Sequence, residues 1–129
     1  NLVDYQSSNY YYSNNDSNAT IYFDFKDKRI QLNAYSIKSI NNGANGCHMK
    51  SWAVEVSNDK ENWVKVDERT NDSKLNQSLT TATFDVKKCN GFYRYVKLHQ
   101  TGPNWQNDYQ MIFHNLEFYG KLILPNTNL

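Results

Sequence analysis

The chain has 129 residues and a mass of 15.1 kDa, which is the size of one domain with a single hydrophobic core. Hydrophobic residues make up 39% of it, which excludes a wholly disordered chain, while a mean hydropathy of -0.83 and 19 Asn residues indicate many polar turns. Fourteen basic and thirteen acidic side chains leave a net charge of +1, so no overall field recruits nucleic acid or anionic lipid.

The first predicted elements are β-strands, because apolar and polar residues alternate with period two along them. One strand covers residues 21–25. After a short turn, a second covers residues 29–40, and its apolar positions Ile30, Leu32 and Ala34 change phase to Tyr35 and Ile37. We predict a β-bulge near Ala34, since one extra residue in a strand changes which face the later side chains take.

The middle of the chain predicts a β-hairpin. Residues 52–56 alternate large apolar residues with Ala and Glu, and the polar segment SNDKEN at 57–62 has the composition of a tight connection. Residues 63–68 return as the second strand, in which Val64 and Val66 are expected to face the core.

Three further strands are predicted at residues 84–86, 92–100 and 111–119, and no helix is predicted. A single antiparallel sheet would leave an apolar face in water, so two sheets must pack face to face. The predicted fold is therefore all-β, an antiparallel jelly-roll sandwich of about eight strands. It forms one domain over residues 1–120, and residues 121–129 are predicted to be a C-terminal tail.

The long connections are predicted to gather at one end of the sandwich. When successive strands run in opposite directions, their connections fall alternately at the two ends. One end then carries the loops 9–19, 41–50, 69–80 and 101–109. The other end carries the turns 26–28, 57–62 and 87–91. Because long loops on a rigid scaffold concentrate binding function, the first end is the predicted binding surface.

The two cysteines are expected to be free thiols. Cys47 lies in a loop at the first end and Cys89 in a turn at the second, so about 20–25 Å separates them. A disulfide requires Cα atoms within about 7 Å. Free thiols favour a cytoplasmic location over secretion. Neither a signal peptide nor an apolar run of about 18 residues is visible, and the N-glycosylation sequons carry little weight in so Asn-rich a chain.

Several segments together resemble one known family. They are Val3-Asp4, Tyr12-Ser13, IYFDF (21–25), WAVEVSNDKENWVKV (52–66), FYRYVKLHQTGPNW (92–105) and HNLEFYG (114–120). Over nearly the whole chain the pattern is similar to the coagulation factor five/eight type C domain, or discoidin domain, of the galactose-binding-like superfamily. The resemblance implies a non-catalytic jelly roll that binds sugars, phospholipid head groups or proteins through loops at one end.

The strings HMKSW (48–52) and HQTGPNW (99–105) resemble the version of this domain found in intracellular BTB-containing and protist proteins. Two features depart from the family pattern. The chain starts close to Val3-Asp4, which implies that the family's first strand is short or missing. The cysteines are internal, whereas many secreted members join the two ends of the domain by a disulfide.

Trp105, Asn104 and His48 are the candidate residues for binding a sugar. An aromatic face stacks on the C–H surface of a sugar, while amide and imidazole groups bind its hydroxyls. Alternatively, Trp105 closes the end of the sandwich and His48 is a locally bonded loop residue. Tyr12 is a further candidate, since period two lets only one or two of the three tyrosines at positions 10–12 face inward.

Arg69 is a candidate for binding a carboxylate or phosphate in bidentate fashion. The alternative is a structural ion pair with Asp67, Glu68 or Asp72, all of which are near it in the chain. Both interpretations place a guanidinium against an anion, and the sequence alone does not choose between them.

The resemblance also bears on metals and catalysis. Asp4 and Glu117 correspond to positions near which family members often hold a structural Ca²⁺. Hard oxygen ligands suit this ion, but two carboxylates do not make a site, and no other cofactor is expected. The cysteines lack the paired spacing of a zinc site, and no phosphate loop, GxSxG or HExxH motif occurs. The chain is therefore predicted not to be an enzyme.

The predicted function is a non-catalytic adaptor module that recognises a protein partner through the loops at one end. Near-neutral charge, free thiols and the resemblance to intracellular members favour this hypothesis. The alternative is a carbohydrate-binding module that uses Trp105, Asn104 and His48 to hold a glycan. Nucleic acid is not an expected partner, and a membrane is disfavoured because the loop tips lack clusters of Leu, Phe and Lys.

Overall fold

The computed structural model describes residues 2–7 and 11–125, with side chains described from residue 11 onward. Ten strand segments lie in these ranges, and no helix in them could cross a membrane. The strands are β1 (Leu2–Ser7), β2 (Tyr11–Tyr12), β3 (Thr20–Asp24), β4 (Arg29–Lys38), β5 (Trp52–Ser57), β6 (Val64–Arg69), β7 (Thr81–Asp85), β8 (Tyr95–Gln100), β9 (Ile112–Phe113) and β10 (Asn115–Ile123).

Eight of the strands form two four-stranded antiparallel sheets that pack face to face. Sheet I has the order β1-β10-β4-β7 and sheet II the order β3-β8-β5-β6, while β2 and β9 form a short separate pair. From β3 to β8 the chain alternates between the two sheets except at the β5–β6 hairpin. The predicted antiparallel jelly-roll sandwich is confirmed.

The core lies between the two sheets and is built mainly from alternate residues of β4, β5, β8 and β10. Trp52 of sheet II packs edge-on against Phe84 of sheet I, with ring centroids 5.2 Å apart. Phe23 and Phe118 make a similar contact at 5.0 Å. All four side chains are buried, so aromatic contacts across the interface hold the two sheets together.

The predicted β-bulge in β4 is confirmed. Consecutive residues of β10 pair with Ala34 and then with Leu32, which makes Asn33 the extra residue. Asn33 is exposed, whereas Leu32 and Tyr35 on either side of it are both buried. The extra residue therefore brings both halves of the strand's apolar set to the core.

One residue predicted to lie in the core is exposed instead. Val64 pairs with Val56 at the start of β6, but 46% of its surface is exposed. β6 is the edge strand of sheet II, and a second bulge leaves Val66 unpaired with its side chain in the core. The inward prediction is correct for Val66 and wrong for Val64, because alternation does not show how far the core extends along an edge strand.

Two predictions about the first and last strands are corrected. The strands predicted from the apolar pattern began at residue 21, but β1 runs from Leu2 to Ser7 and pairs with β10 over its whole length. β10 continues to Ile123, so the tail predicted to start at residue 121 starts too early. Residues 121–123 pair with residues 29–31 of β4 and belong to sheet I.

Cys47 and Cys89 are free thiols, as predicted. Cys47 is buried among the long loops, and Cys89 is half-buried in the connection between β7 and β8. Burial raises the pKa of the Cys89 thiol, which keeps it in its less reactive protonated form. The cytoplasmic location inferred from the two thiols stays a prediction.

The short turns meet at the end of the sandwich opposite the long loops, as predicted. The Phe25 amide donates to the Arg94 carbonyl at 2.9 Å, and Asn58 Nδ2 donates to the Phe92 carbonyl at 3.2 Å. Arg94 also donates to both carboxylate oxygens of Asp24, at 2.8 and 3.1 Å. These contacts tie the β3–β4 turn and the β5–β6 hairpin to the segment before β8.

Acidification is expected to lower the melting temperature between about pH 5 and pH 2. Hydrogen bonds from Arg94 lower the pKa of Asp24 to about 2 from its ordinary 3.8, and backbone hydrogen bonds, first from Asn62, lower the pKa of Asp59. Each carboxylate stabilises the fold fully above its ordinary pKa and loses that contribution as the pH falls toward the folded-state pKa. Thermal unfolding followed by circular dichroism measures this. Asp24→Asn should show a weaker acid dependence than the parent protein, and equal dependence in the two proteins would contradict the prediction.

Candidate functional site

The long loops meet at one end of the sandwich and are joined by main-chain hydrogen bonds. The Trp105 amide donates to the His48 carbonyl at 3.1 Å, and the Asp72 amide donates to the Lys50 carbonyl at 2.8 Å. The Asn71 amide donates to a neighbouring serine hydroxyl at 2.9 Å. We call the segments 13–19, 41–51, 70–80 and 101–111 the loop end, and their gathering agrees with the predicted strand directions.

Tyr12 lies next to the loop end on the short β2–β9 pair. The Ser13 amide donates to the Met111 carbonyl at 2.9 Å, and the Met111 amide donates to Ser13 Oγ at 2.8 Å. The Tyr109 amide donates to Asn15 Oδ1 at 2.7 Å. Tyr12 itself is 62% exposed, so much of its surface is in contact with solvent beside these segments.

His48 is a buried residue that holds its own loop. Only 1% of its surface is exposed, and its Nε2 donates to the carbonyl oxygens of Asn42 and Gly43 at 2.8 and 2.9 Å. These acceptors place the ring proton on Nε2, and Nδ1 is buried with no partner among the described residues. The local role considered as an alternative matches this geometry, and the ring does not reach the surface to bind a sugar hydroxyl.

Asn104 is likewise buried and saturated. Its Nδ2 donates to Asp108 Oδ1 at 2.7 Å and to the Gln110 carbonyl at 2.9 Å, while its Oδ1 accepts from the amides of Gln106 and Asp108. Burial opposes ionisation of Asp108, but hydrogen bonds from Gln110, Asn104 and Gln106 outweigh it and lower the pKa of that carboxyl. Asn104 therefore shapes the 101–111 loop, and its amide is not offered to a ligand.

Trp105 is the predicted residue that the structure places at the surface of the loop end. Its side chain is half-buried, and Nε1 donates to the Asp72 carbonyl in a long contact of 3.4 Å. Lys50 Nζ lies 4.6 Å from the centroid of the ring. The indole thus spans two loops, which both closes the end of the sandwich and leaves part of the ring exposed.

Lys50 and Asp72 are surroundings of Trp105 that sequence reasoning missed. Loops 41–50 and 69–80 were expected to meet, but nothing in their polar sequence distinguishes Lys50 or Asp72 from neighbours such as Asn45. The sequence indicated only that these loops share one end of the sandwich, which identifies the segments that meet but not the side chains.

Arg69 lies in edge strand β6, with its side chain directed across the side of the sandwich. Its Nε donates to Asp67 Oδ2 at 3.0 Å, and its Nη2 donates to the Asp85 carbonyl at 3.0 Å. The structural pair with Asp67, one of the alternatives, is present. The structure does not bring Arg69 into contact with Trp105 in any described hydrogen bond.

The calcium prediction for Asp4 and Glu117 stays untested. Asp4 pairs with Tyr119 and Glu117 pairs with Gln6 across β1 and β10, but the side chain of Asp4 lies outside the described residues. Glu117 Oε2 accepts from the Tyr119 hydroxyl at 3.1 Å. Within the described part of the chain, no group of three or more His, Cys, Asp or Glu side chains could hold a metal ion.

A family model and several solved structures match the chain. The model of the F5/8 type C domain matches residues 1–114. Among curated proteins, no match to the chain was found. The family match covers the sandwich up to the start of β10 and agrees with the resemblance of the sequence motifs.

Three solved structures show the extent of the likeness. The F5/8 type C domain of a Bacteroides fragilis protein is 13% identical with a TM-score of 0.67, covering 88% of this chain and 74% of that one. CpGH89CBM32-5 from Clostridium perfringens, solved in complex with GalNAc-β-1,3-galactose, is 12% identical with a TM-score of 0.63, covering 93% and 95%. The family 32 carbohydrate-binding module of Streptococcus pneumoniae EndoD is 9% identical with a TM-score of 0.63, covering 87% and 75%. At these identities the likeness shows the fold.

These similar structures come from bacteria. None of them supports the intracellular or protist-type version of the domain that HMKSW (48–52) and HQTGPNW (99–105) suggested.

Proposed function

Because the chain belongs to the F5/8 type C domain family, we propose that it is a non-catalytic carbohydrate-binding module whose loop end holds a sugar against Trp105. The observation that carries the proposal is the half-buried indole, fixed between two hydrogen-bonded loops and partly exposed. A rigid aromatic surface binds at low entropic cost because it does not have to be ordered by the ligand.

The chemistry around Trp105 suits a neutral, hydroxyl-rich ligand. The Lys50 ammonium, 4.6 Å from the ring centroid, is a hydrogen-bond donor, and Asn107, an exposed residue two positions after Trp105, carries an amide with both donors and acceptors. Sugars present C–H surfaces and hydroxyls together, so a ring flanked by such groups matches both parts. Tyr12, 62% exposed beside the same end, is a second aromatic surface for a longer glycan.

The structural neighbours favour carbohydrate over the protein partner that the sequence first suggested. Two of them are carbohydrate-binding modules by name, and one was solved with GalNAc-β-1,3-galactose. A protein partner was inferred from near-neutral charge, free thiols and the resemblance to intracellular members, and the similar structures do not support the last of these. GalNAc-β-1,3-galactose is therefore a reasonable first ligand to test.

Trp105→Ala is expected to weaken glycan binding about tenfold, the equivalent of about 1.4 kcal/mol, because the stacking surface is lost. Isothermal titration with GalNAc-β-1,3-galactose, or a glycan array if that sugar does not bind, measures the change. Trp63→Ala is the matched control, since Trp63 is also half-buried but lies beside sheet II, where its Nε1 donates to the Lys60 carbonyl at 3.2 Å.

Thermal unfolding of both variants separates binding from folding. If Trp105→Ala melts earlier but binds the glycan with unchanged affinity when folded, Trp105 only closes the end of the sandwich. If Trp63→Ala loses binding and Trp105→Ala does not, the sugar site lies on the face of sheet II. A parent protein that binds no glycan on an array would overturn the proposed function itself.

A further inference from the structure

The two sheets leave a groove along one side of the sandwich. β6 is an edge strand of sheet II and β7 is an edge strand of sheet I. Between residues 65–69 of β6 and residues 83–85 of β7 lies a groove of about 710 Å³, which Lys74, Lys87 and Lys88 complete. We call it the side groove. Cavities of this size hold a short oligosaccharide or a similar small ligand.

The side groove concentrates positive charge. Five of its lining side chains are basic and three are acidic, although the net charge of the whole chain is only +1. The basic side chains are Lys65, Arg69, Lys74, Lys87 and Lys88. Such a concentration of cations raises the local concentration of an anionic ligand.

Most of the acidic charge in the side groove is already paired. Asp67 accepts from Arg69 at 3.0 Å, and Glu68 accepts from a lysine of the same strand at 3.2 Å. Lys87 and Lys88 are both exposed, and no ion pair involves them in residues 11–125. No ion pair in the described part of the chain therefore compensates their charges, which can act on a ligand.

Arg69 bridges the two walls of the side groove. It donates to Asp67 Oδ2 on its own wall and to the Asp85 carbonyl on the opposite wall, each at 3.0 Å. The guanidinium carbon lies 5.1 Å from the ring centroid of Phe84, which orients the plane of the group. These two hydrogen bonds use two of the five N–H groups, and the Tyr35 hydroxyl also interacts with the guanidinium. The N–H groups left over are the donors for an anion.

The hydrogen bonds of Arg69 across the side groove favour a compact ligand over an extended peptide. An extended peptide that adds to the edge of β7 needs the main-chain acceptors of that edge. The Asp85 carbonyl already accepts from Arg69 at 3.0 Å, so an added strand would have to share that acceptor with the guanidinium. A compact ligand that contacts side chains has no such requirement.

We propose that the side groove is a second ligand site, distinct from the loop end, that binds an acidic saccharide through a carboxylate or sulfate group. Lys87 and Lys88 attract its charge, and the remaining N–H groups of Arg69 donate to its anionic oxygens. The ring hydroxyls of such a saccharide find donors and acceptors in the polar side chains of β6 and β7.

Titration with three disaccharides tests the side groove: digalacturonate for a carboxylate, lactose 3′-sulfate for a sulfate, and lactose as the neutral reference. The parent protein and Trp105→Ala are both titrated, at about 20 mM and about 200 mM salt. At least one anionic disaccharide should bind Trp105→Ala more tightly than lactose does. Adding the substitutions Lys87→Gln and Lys88→Gln should weaken the binding of that anionic disaccharide about fivefold. The higher salt concentration should weaken its binding further.

Two lysines outside the side groove provide the control. Lys28→Gln with Lys121→Gln removes the same charge from exposed positions in the β3–β4 turn and in β10, and the affinity should not change. Equal loss in both double variants would show attraction to net charge alone and overturn the proposal. The proposal would also be overturned if neither acidic disaccharide bound more tightly than lactose, or if the protein bound a hexaglutamate peptide instead. Because Trp105→Ala is included, this proposal and the one for the loop end fail separately.

Discussion

Gly120→Ala is expected to lower the free energy of unfolding by about 3 kcal/mol, because a side chain at this position has no room. Gly120 is buried in β10 beside the bulge of β4, and an added Cβ would overlap the main-chain carbonyl of Gln31 and press on the Cα of Leu32. Backbone atoms in the middle of a sheet cannot move aside as the end of a flexible side chain can. Either β10 separates from β4, or the bulge rearranges.

Urea unfolding followed by tryptophan fluorescence measures this change, with the slope of the transition checked for two-state behaviour. Gly43→Ala is the matched control, because an added Cβ at Gly43 meets nothing within 4 Å. That variant should unfold within about 0.5 kcal/mol of the parent protein. Equal stability of the two variants would show that the β10–β4 bulge tolerates a side chain.

The bulge that makes Gly120 sensitive could be predicted from the sequence, but the role of Gly120 could not. The phase change between Leu32 and Tyr35 marks an extra residue in β4, since the burial of both residues forces one. Which strand lies opposite the bulge depends on sheet order, and β10 reaches β4 from more than 70 residues away along the chain. Local patterns do not contain that pairing.

The candidate site, too, could be predicted from the sequence only in part. Alternating strand directions predicted which loops meet, because chain reversal follows from topology alone. They did not predict that His48 and Asn104 point inward, since in loops the direction of a side chain depends on the hydrogen bonds it finds. Trp105 was predicted both as a binding residue and as the closure of the sandwich, and its half-buried ring shows why the sequence could not separate the two.

Tyr35→Phe is expected to lower the free energy of unfolding by about 2–3 kcal/mol, because one hydroxyl satisfies two partners inside the protein. Trp52 Nε1 donates to the Tyr35 hydroxyl at 2.8 Å, and that hydroxyl donates to Asp67 Oδ2 at 2.6 Å. Trp52 and Tyr35 are both fully buried. Phenylalanine keeps the stacked contact with Phe84 but leaves the indole N–H without an acceptor. The expected loss of stability therefore comes from a missing hydrogen bond and not from lost packing.

Removing a hydroxyl from this buried network should cost more stability than removing one at the surface. Burial first, and then the hydrogen bond to Asp67, raises the pKa of Tyr35 far above its usual range, so the hydroxyl is protonated and the loss should be the same from about pH 6 to pH 9. Tyr22→Phe removes a hydroxyl from a ring that is 53% exposed, and it should change stability by less than about 0.5 kcal/mol. Urea unfolding of the two variants at both pH values makes the comparison. If Tyr35→Phe were as stable as Tyr22→Phe, the Trp52 N–H would have found another acceptor, and the network would not be what holds Asp67 in place beside Arg69.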